Sequence, residues 1–280
     1  MLRNEGDRLS RVVVCSPGDE YCHVIDLREH NIIERADPQR SIRQHDSLKR
    51  CLADFGAEVI DAPELEGHPN SVFTRDMALC TPQGYIKLRM GLESRRGEEE
   101  WMAQMLTSLG EPCVGKVEAP GTVEGGDVVL AGSVAFVGRS IRTNDEGVRQ
   151  LTSLLEAMDY EMRVIPLPDS ILHLDKALML AEPERLIYCS DVVAEGYLQG
   201  FEAVEVQCGG ATTANIVCLG DDAVIVERYN RGVARRLKAA GLVVHELDLS
   251  EFVKGSGGPN CLILPLEREA SALSADRGAR

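Results

Sequence analysis

The repeated unit of this sequence is clearest at residues 124–131, which read EGGDVVLA. An acid, two glycines and a second acid stand directly before an apolar run with the composition of a buried strand. The glycines let the backbone turn tightly and let other groups approach it closely. The stretch therefore predicts polar side chains held at the start of a buried strand.

The same plan, a polar residue followed by an apolar strand, occurs five times along the chain. Counted between equivalent polar residues, the units are 40 to 51 residues apart, a period typical of propellers and solenoids. The units are RDMALC at 75–80, EGGDVVL at 124–130, HLDKALML at 173–180, TANIVCL at 213–219 and PNCLIL at 259–264.

Amphipathic helices are predicted between these strands. Apolar residues recur at helical spacing over 40–55, over 96–109, after the potential capping residue Asn144 and over about 230–240. Each unit is expected to combine its strands with one helix, and a strand at 11–15 is expected to complete the first unit. A closed ring of such units protects the sheet edges that separate small sheets would expose.

These observations favour a five-bladed α/β propeller with pseudo-fivefold repeats. The rival arrangement, a doubly wound parallel sheet, is disfavoured because no strand is followed by a Gly-x-Gly-x-x-Gly motif. We expect residues 1–268 to form a single catalytic domain and residues 269–280, which are polar and rich in small side chains, to form a frayed tail. Segment 16–36 is a candidate lid.

The composition excludes several classes of function. The chain has 280 residues, 44% of them hydrophobic and 27% charged, and a formal net charge of −15. This charge argues against binding to nucleic acid or to an anionic membrane, and it suits a small cationic substrate. Because we find no apolar run long enough to span a membrane and no signal-peptide core, we expect a cytoplasmic protein. A homodimer is the default expectation for its assembly.

The cysteines separate into structural thiols and one candidate nucleophile. Nine cysteines with no Cys-x-x-Cys pair suggest neither a zinc ribbon nor a complete disulfide framework. Cys261 differs from the others because it follows the glycine-rich loop KGSGGPN, whose backbone can approach a ligand closely. Buried thiols within apolar strands are expected at Cys15, Cys80, Cys189 and Cys218.

In a pseudo-symmetric ring, equivalent strand starts converge on the axis and bring titratable groups together. Cys261 and His173 would supply a nucleophile and its general acid–base, and Glu124 would orient the histidine. Asp76 and Asp175 remain, and two fixed carboxylates match the forked N–H donors of a guanidinium. The predicted reaction is attack of the cysteine thiolate on a guanidinium carbon, followed by hydrolysis of the covalent intermediate. The residues Glu124-Gly-Gly-Asp127 could also form a simple turn, with Asp127 serving only the backbone.

The chain resembles the guanidine-modifying superfamily, which includes dimethylarginine dimethylaminohydrolase, arginine deiminase and the amidinotransferases. The resemblance implies a five-bladed α/β propeller without cofactor or metal, and a Cys-His-Glu site at Cys261, His173 and Glu124. It further implies that Arg95 and Arg142 hold the substrate α-carboxylate, that Asn70 contacts substrate and that Asp76 binds the guanidinium. The motifs that carry it are NSVFTRD at 70–76, SRRGE at 94–98, VEGGD at 123–127, GRSIRTN at 138–144, LHLD at 172–175 and GGPNCLILPL at 257–266.

Within the superfamily, the short chain and several motifs resemble the dimethylaminohydrolases most closely. Two positions depart from them: Arg75 stands where those enzymes usually have an acid, and Asp175 adds a second carboxylate, as in arginine deiminases. Both departures favour a free guanidinium, because each methyl group removes an N–H donor. The leading hypothesis is a hydrolase of arginine or N-methylated arginine. An amidinotransferase, a dihydrolase that forms ornithine and a non-catalytic arginine-binding protein are the alternatives.

Overall fold

The computed structural model describes residues 2–209 and 212–270, and within them the backbone forms fifteen strands and six α-helices. The strands are β1 (Arg8–Cys15), β2 (Glu58–Ala62), β3 (Ala78–Thr81), β4 (Gly84–Lys87), β5 (Cys113–Lys116), β6 (Val128–Ala131), β7 (Val134–Arg139), β8 (Glu161–Pro166), β9 (Leu178–Glu182), β10 (Arg185–Cys189), β11 (Glu202–Val206), β12 (Val217–Gly220), β13 (Ala223–Glu227), β14 (Val243–Leu247) and β15 (Leu264–Glu269). The helices are α1 (Asp19–Cys22), α2 (Pro38–Asp54), α3 (Glu98–Ser108), α4 (Asp145–Glu156), α5 (Arg231–Ala239) and α6 (Ser250–Val253).

The strands are grouped into five three-stranded sheets, one for each predicted unit. In four sheets three consecutive strands pair, for example β3-β4-β5, with the middle strand antiparallel to the first and parallel to the last. In the fifth sheet β15, from the end of the described chain, pairs antiparallel with β1, which is parallel to β2. The predicted five-bladed α/β propeller architecture is confirmed, and the N-terminal strand completes a unit as expected.

Helices provide most of the crossovers between the parallel middle and outer strands, which need connections of about a dozen residues. Helix α2 joins β1 to β2, and α3, α4 and α5 serve the same purpose in three other sheets. The expectation of one helix in every unit is wrong for the sheet β9-β10-β11. There the connection spans only residues 190–201, and it forms a single 3-10 turn at Glu195–Leu198.

The inner strands of the sheets form the core of the ring. Strand β15 contacts β3, β9 contacts both β6 and β12, and β12 also contacts β1. Every residue of β3, β6 and β12 is buried, as the apolar runs of the sequence predicted. Outside the ring, Asn144 caps α4 as predicted, because its Oδ1 accepts a hydrogen bond from the Gly147 N–H at 2.8 Å.

The described cysteines follow the expectation with one exception. Cys15, Cys80 and Cys218 are buried free thiols. The expectation was wrong for Cys189, which forms a disulfide with Cys208. The register explains the pair, since Cys189 ends β10 opposite Val206 of the parallel strand β11, and the partner cysteine follows two residues later.

The predicted boundary between a domain at residues 1–268 and a tail at residues 269–280 stays a prediction. The last described strand runs to Glu269, one residue past the predicted boundary at 268. Most of the predicted tail, residues 271–280, lies outside the described residues. In the described ranges we find no helix long and apolar enough to cross a membrane.

Candidate active site

Four short 3-10 turns bring the predicted site residues together. Each turn directly precedes an inner strand, so the turns lie at the same end of the ring. The turn before β3 contacts those before β6 and β15, and the turn before β9 contacts the one before β6. The turns are Thr74–Asp76 before β3, Gly125–Asp127 before β6, Leu174–Lys176 before β9 and Asn260–Leu262 before β15.

All eight predicted site residues are buried, and none is more than 7% exposed. Seven of them line one cavity of about 30 Å³, which has room for about one water molecule. His30 and Asn31 of the candidate lid line the same cavity. The seven lining residues are Asn70, Asp76, Arg95, Glu124, Arg142, His173 and Cys261.

His173 is held between two carboxylates. Its Nε2 lies 2.7 Å from Glu124 Oε2, and its Nδ1 lies 3.7 Å from Asp76 Oδ1. The other oxygen of Glu124 accepts hydrogen bonds from the backbone N–H groups of Gly91 and Leu92, at 2.9 and 3.0 Å. The carboxylate is therefore fixed on both sides, and it fixes the orientation of the imidazole, as an orienting residue requires.

These charges set the protonation states of the pair. Burial opposes the positive charge of His173, but Asp76 and Glu124 outweigh it and raise the pKa of the imidazole to about 9. Burial likewise opposes the negative charge of Glu124, but the hydrogen bond from His173 outweighs it and lowers the pKa of this carboxyl well below its usual range. At neutral pH the pair is an imidazolium and a carboxylate, which makes His173 a proton donor.

Two glycines provide the space for this arrangement. A Cβ atom at Gly126 would lie 2.6 Å from His173 Nδ1 and 3.0 Å from Asp76 Oδ1. A Cβ atom at Gly125 would lie 2.1 Å from the carbonyl oxygen of Arg75. Real side chains do not approach so closely, so the turn between Glu124 and β6 admits only glycine at both positions.

Cys261 contacts groups different from those predicted. Its Sγ lies 3.0 Å from Lys176 Nζ, 3.3 Å from Asn215 Nδ2 and 3.7 Å from Asp175 Oδ2. His173 lines the same cavity, but its two ring nitrogens face carboxylates. Burial and the charge of Asp175 raise the pKa of the Cys261 thiol to about 11, and Lys176 opposes them.

The two predicted carboxylate-binding arginines differ in how they are engaged. Arg95 uses its donors internally: Nη1 lies 2.6 Å from Asp76 Oδ2, and Nε lies 2.8 Å from Glu98 Oε2. Its Nη2 donates to the carbonyl of Phe73 at 3.1 Å. Arg142 makes one ion pair, at 3.5 Å from Glu124 Oε1, and its remaining donors are available to a ligand.

Two of the predicted site residues each have a buried acceptor atom without a hydrogen-bond partner among the described residues. Asn70 donates through Nδ2 to the carbonyl of His30 at 2.8 Å, which leaves its Oδ1 unpartnered. Asp175 accepts a hydrogen bond from Asn260 on Oδ2 at 3.1 Å, and its Oδ1 is also unpartnered. Such atoms suit the N–H donors of a ligand, since an unsatisfied buried acceptor is otherwise unfavourable.

Asp127 has a structural role, in agreement with the turn interpretation. Its Oδ2 accepts hydrogen bonds from the hydroxyls of Ser140 and Thr143, at 2.6 and 2.7 Å, and its Oδ1 accepts one from the backbone N–H of Leu174 at 2.9 Å. Burial raises the pKa of this carboxyl to about 6. Asp127 therefore links the turn before β6 to the turn before β9.

Arg75, the residue that departs from the dimethylaminohydrolases, also has a structural role. Its Nη2 lies 2.7 Å from Glu5 Oε1 and donates to the carbonyl of Val128 at 2.7 Å. Both charged residues of this pair are almost fully buried, at 3% and 1% exposure. The guanidinium thus neutralises Glu5 and joins two neighbouring sheets.

We expect Arg75→Met to destabilise the protein by about 3–5 kcal/mol, because it leaves the buried carboxylate of Glu5 without its cationic partner. The measurement is the free energy of unfolding from urea titrations. The matched variant Glu5→Gln/Arg75→Met removes the stranded charge and should recover part of the loss. Equal stability of Arg75→Met and wild type would contradict a structural ion pair.

Three polar residues at the site were not predicted from the sequence: Lys176, Asn215 and Asn260. Both asparagines stood at the strand starts of the repeat, and this position was the signal that could have identified them. Asn215 Oδ1 accepts a hydrogen bond from the Asn260 N–H at 2.9 Å and so positions the turn that carries Cys261. Nothing in the sequence indicates that the Lys176 side chain points toward sulfur.

Two groups of potential metal ligands occur among the described residues. Asp76, Glu124 and His173 offer ligand atoms within 4.8 Å of one another, and these atoms are already joined by the contacts above. Cys189, Asp191 and Cys208 form the second group, in which the two sulfurs are joined as a disulfide.

Comparison with known proteins places this arrangement in a family. A model of the arginine deiminase family matches residues 62–208. The N(G),N(G)-dimethylarginine dimethylaminohydrolase of Pseudomonas aeruginosa is 32% identical over 230 residues, which cover 82% of this chain and 90% of that protein. The chain belongs to the guanidine-modifying superfamily, close to the dimethylarginine dimethylaminohydrolases. The named dimethylarginine dimethylaminohydrolase relatives, which match most of the chain, show that the protein is a hydrolase acting on C–N bonds in linear amidines.

Solved structures of the superfamily have the same fold. A cysteine-to-serine variant of the Pseudomonas aeruginosa dimethylarginine dimethylaminohydrolase, complexed with citrulline, is 29% identical with a TM-score of 0.82, and the match covers 92% of this chain and 99% of that one. The N-terminal domain of ArgZ, a cyanobacterial arginine dihydrolase, has a TM-score of 0.81 at 23% identity, with 94% and 98% of the two chains covered. The second likeness concerns the fold alone.

Proposed function

We propose that this protein hydrolyses the guanidino C–N bond of arginine or of an N-methylated arginine through a covalent Cys261 intermediate. The products are citrulline and either ammonia or an alkylamine. The observation that carries the proposal is the buried ion pair of Glu124 and His173, which lines one cavity with the Cys261 thiol and the Asp76 carboxylate. A proton donor, a nucleophile and a cation-binding acid are the groups that this reaction needs.

In the first half of the proposed reaction, the Cys261 thiolate attacks the central guanidinium carbon and forms a C–S bond. His173, protonated at neutral pH because its pKa is raised to about 9, gives its proton to the departing nitrogen as the C–N bond breaks. Glu124 stabilises the imidazolium before this transfer. The product of this half is an amine and a thiouronium-type intermediate on the sulfur.

In the second half, the neutral His173 removes a proton from water, whose oxygen attacks the same carbon. The C–S bond then breaks and the thiolate re-forms, and the cationic product loses one proton to solvent to give citrulline. The imidazole returns to its protonated state, so one histidine serves both halves. The donors that remain available on Arg142 suit the α-carboxylate of the substrate.

The site geometry favours a free guanidinium over a methylated one. Asn70 lines the cavity and has an unpartnered Oδ1, and each methyl group on the substrate would remove one N–H donor that this acceptor could bind. Asp175, the predicted second carboxylate, is not among the described residues that line this cavity, and its Oδ1 lies 3.8 Å from Lys176 Nζ. The name of the Pseudomonas aeruginosa relative instead favours a dimethylated substrate. Both substrates therefore enter the test.

The test incubates the purified protein and the variant Cys261→Ser with arginine and with asymmetric dimethylarginine. Mass spectrometry then measures citrulline, ornithine and released amine. We expect citrulline from the wild type, with arginine as the better substrate, and none from the variant. Ornithine would indicate a dihydrolase, and an amidino product formed only with an added acceptor amine would indicate a transferase. Absence of product from both substrates would contradict the proposal.

A further inference from the structure

The cationic contact of the Cys261 sulfur comes from Lys176. In the described parts of the chain, this is the single charged side chain that donates a hydrogen bond to Sγ, at 3.0 Å; the second donor, Asn215 at 3.3 Å, is neutral. Lys176 is only 6% exposed, so water screens the contact weakly. The contact therefore joins a fixed cation directly to the proposed nucleophile.

The carboxylates near the sulfur oppose its ionisation. Asp175 Oδ2 lies 3.7 Å from Sγ, and the charges of Asp175 and Asp76 both raise the pKa of the thiol. His173 does not compensate through a direct hydrogen bond, because its nitrogens lie 2.7 Å from Glu124 and 3.7 Å from Asp76. Without Lys176, a buried thiol in this setting would ionise at still higher pH.

Lys176 itself remains charged. Burial opposes its ammonium, but the attraction of Cys261 and Asp175 outweighs burial and keeps the pKa of the lysine above its ordinary value. It therefore acts as a permanent cation and not as a proton shuttle. Among the described residues its ammonium makes one hydrogen bond, to Cys261, and one ion pair, to Asp175 Oδ1 at 3.8 Å, so the shorter of these two polar contacts is to sulfur.

The local backbone does not require a lysine at this position. The N–H of Lys176 donates to the His173 carbonyl at 3.1 Å, and its carbonyl accepts from the Ala214 N–H at 3.0 Å. Any residue other than proline can make both bonds. The backbone hydrogen bonds therefore do not depend on the lysine side chain, whose ammonium donates to the Cys261 sulfur.

We propose that Lys176 is a further catalytic residue, a fixed counter-ion that stabilises the Cys261 thiolate in the free enzyme before the substrate binds. Its use in turnover rests on the proposed function, whereas its effect on the thiol does not. The lysine exchanges no proton and forms no bond during the reaction. Lys176 provides a positive charge beside the Cys261 thiolate before the substrate binds, and the cationic guanidinium adds a second positive charge when it binds.

The test measures the pH dependence of Cys261 alkylation by iodoacetamide in the absence of substrate. Peptide mass spectrometry follows the labelling, and the exposed thiol of Cys113 in the same molecule is the internal reference. The midpoint of the pH profile is the readout, because steric access to a buried thiol changes the size of the rate, whereas the thiol pKa sets the midpoint. The proteins compared are the wild type, Lys176→Met, Lys176→Gln and Lys176→Arg, with Lys116→Met as a surface control.

We expect both neutral variants to shift the Cys261 midpoint upward by about one pH unit or more, which corresponds to an about tenfold slower alkylation below the midpoint. Lys176→Arg and Lys116→Met should stay near the wild type, and Cys113 should not change. Lys176→Gln keeps a hydrogen-bond donor without charge, so its shift separates charge from hydrogen bonding. Coinciding profiles of the wild type and a folded neutral variant would overturn the proposal.

A second readout links the same variants to turnover. If the proposed function holds, kcat/KM at neutral pH falls in Lys176→Met and Lys176→Gln by the same factor as the alkylation rate of Cys261 at that pH. An unchanged kcat/KM beside a slowed alkylation would overturn the catalytic role. If no protein turns over substrate, the proposed function fails while the alkylation profiles still decide the effect of Lys176 on the thiol.

Discussion

Replacing Cys261 by serine is expected to lower the kcat for guanidine hydrolysis by at least about a thousandfold. The serine hydroxyl is a far weaker nucleophile than a thiolate near neutral pH, and Lys176 and Asn215 cannot ionise it there. The change removes no carbon atom from a buried position, so the fold should persist. The measurement is the rate of citrulline formation by the purified proteins.

The matched control for this substitution is Cys113→Ser. Cys113 lies on the outer strand β5, is exposed and has no contact with the cavity, so its replacement should leave kcat unchanged. Retention of more than about a tenth of the wild-type kcat by folded Cys261→Ser would rule out covalent catalysis by this cysteine, because removing an essential nucleophile leaves far less.

Replacing Glu124 by glutamine is expected to lower kcat/KM at neutral pH by about 100-fold to 10,000-fold, the usual contribution of a general acid–base. The variant keeps the shape of the side chain but removes the charge that faces His173 Nε2 at 2.7 Å. The backbone hydrogen bonds from Gly91 and Leu92 can persist with the amide oxygen. The loss would therefore reflect charge more than structure.

The pH dependence of kcat/KM in the wild type and in Glu124→Gln provides a second test of this role. In the wild type the pKa of His173 is raised to about 9 and that of the Cys261 thiol to about 11. The value of kcat/KM should therefore rise with pH and level off at about 9, where loss of the proton donor begins to offset the gain in thiolate. Glu124→Gln lowers the pKa of His173, so the levelling-off should move to lower pH. Glu246→Gln, which alters a surface carboxylate paired with Lys238, is the control and should match the wild type. A levelling-off that does not move would contradict the role of Glu124.

The sequence predicted the architecture because the repeat carries two signals, a polar residue before each apolar run and a regular spacing of the five runs. Each polar residue before an apolar run marks an inner strand, and the regular spacing of the five runs requires equivalent blades. The blade without a helix was missed, because the regular spacing of the strand starts shows that a fifth unit exists but not that residues 190–201 form only a 3-10 turn. The disulfide was missed because pairing of Cys189 depends on the register of β10 with β11.

The sequence predicted which residues would lie close together better than it predicted their contacts. The eight predicted residues are all buried, and seven of them line one cavity. The pairing of Glu124 with His173 was expected, whereas the contacts of Arg95 and Cys261 depend on side-chain directions that no spacing specifies. The catalytic and binding roles of these residues remain predictions to be tested as described.

The measurement that tests the central claim most directly is the mass of the protein during turnover. Reactions with arginine and with asymmetric dimethylarginine are quenched in acid within milliseconds to seconds, and intact-protein and peptide masses are read. We predict a mass increase equal to the substrate minus its departing amine, located on the peptide that contains Cys261 and absent from Cys261→Ser. Citrulline formation without any such increase, together with wild-type activity of Cys261→Ser, would contradict the covalent mechanism.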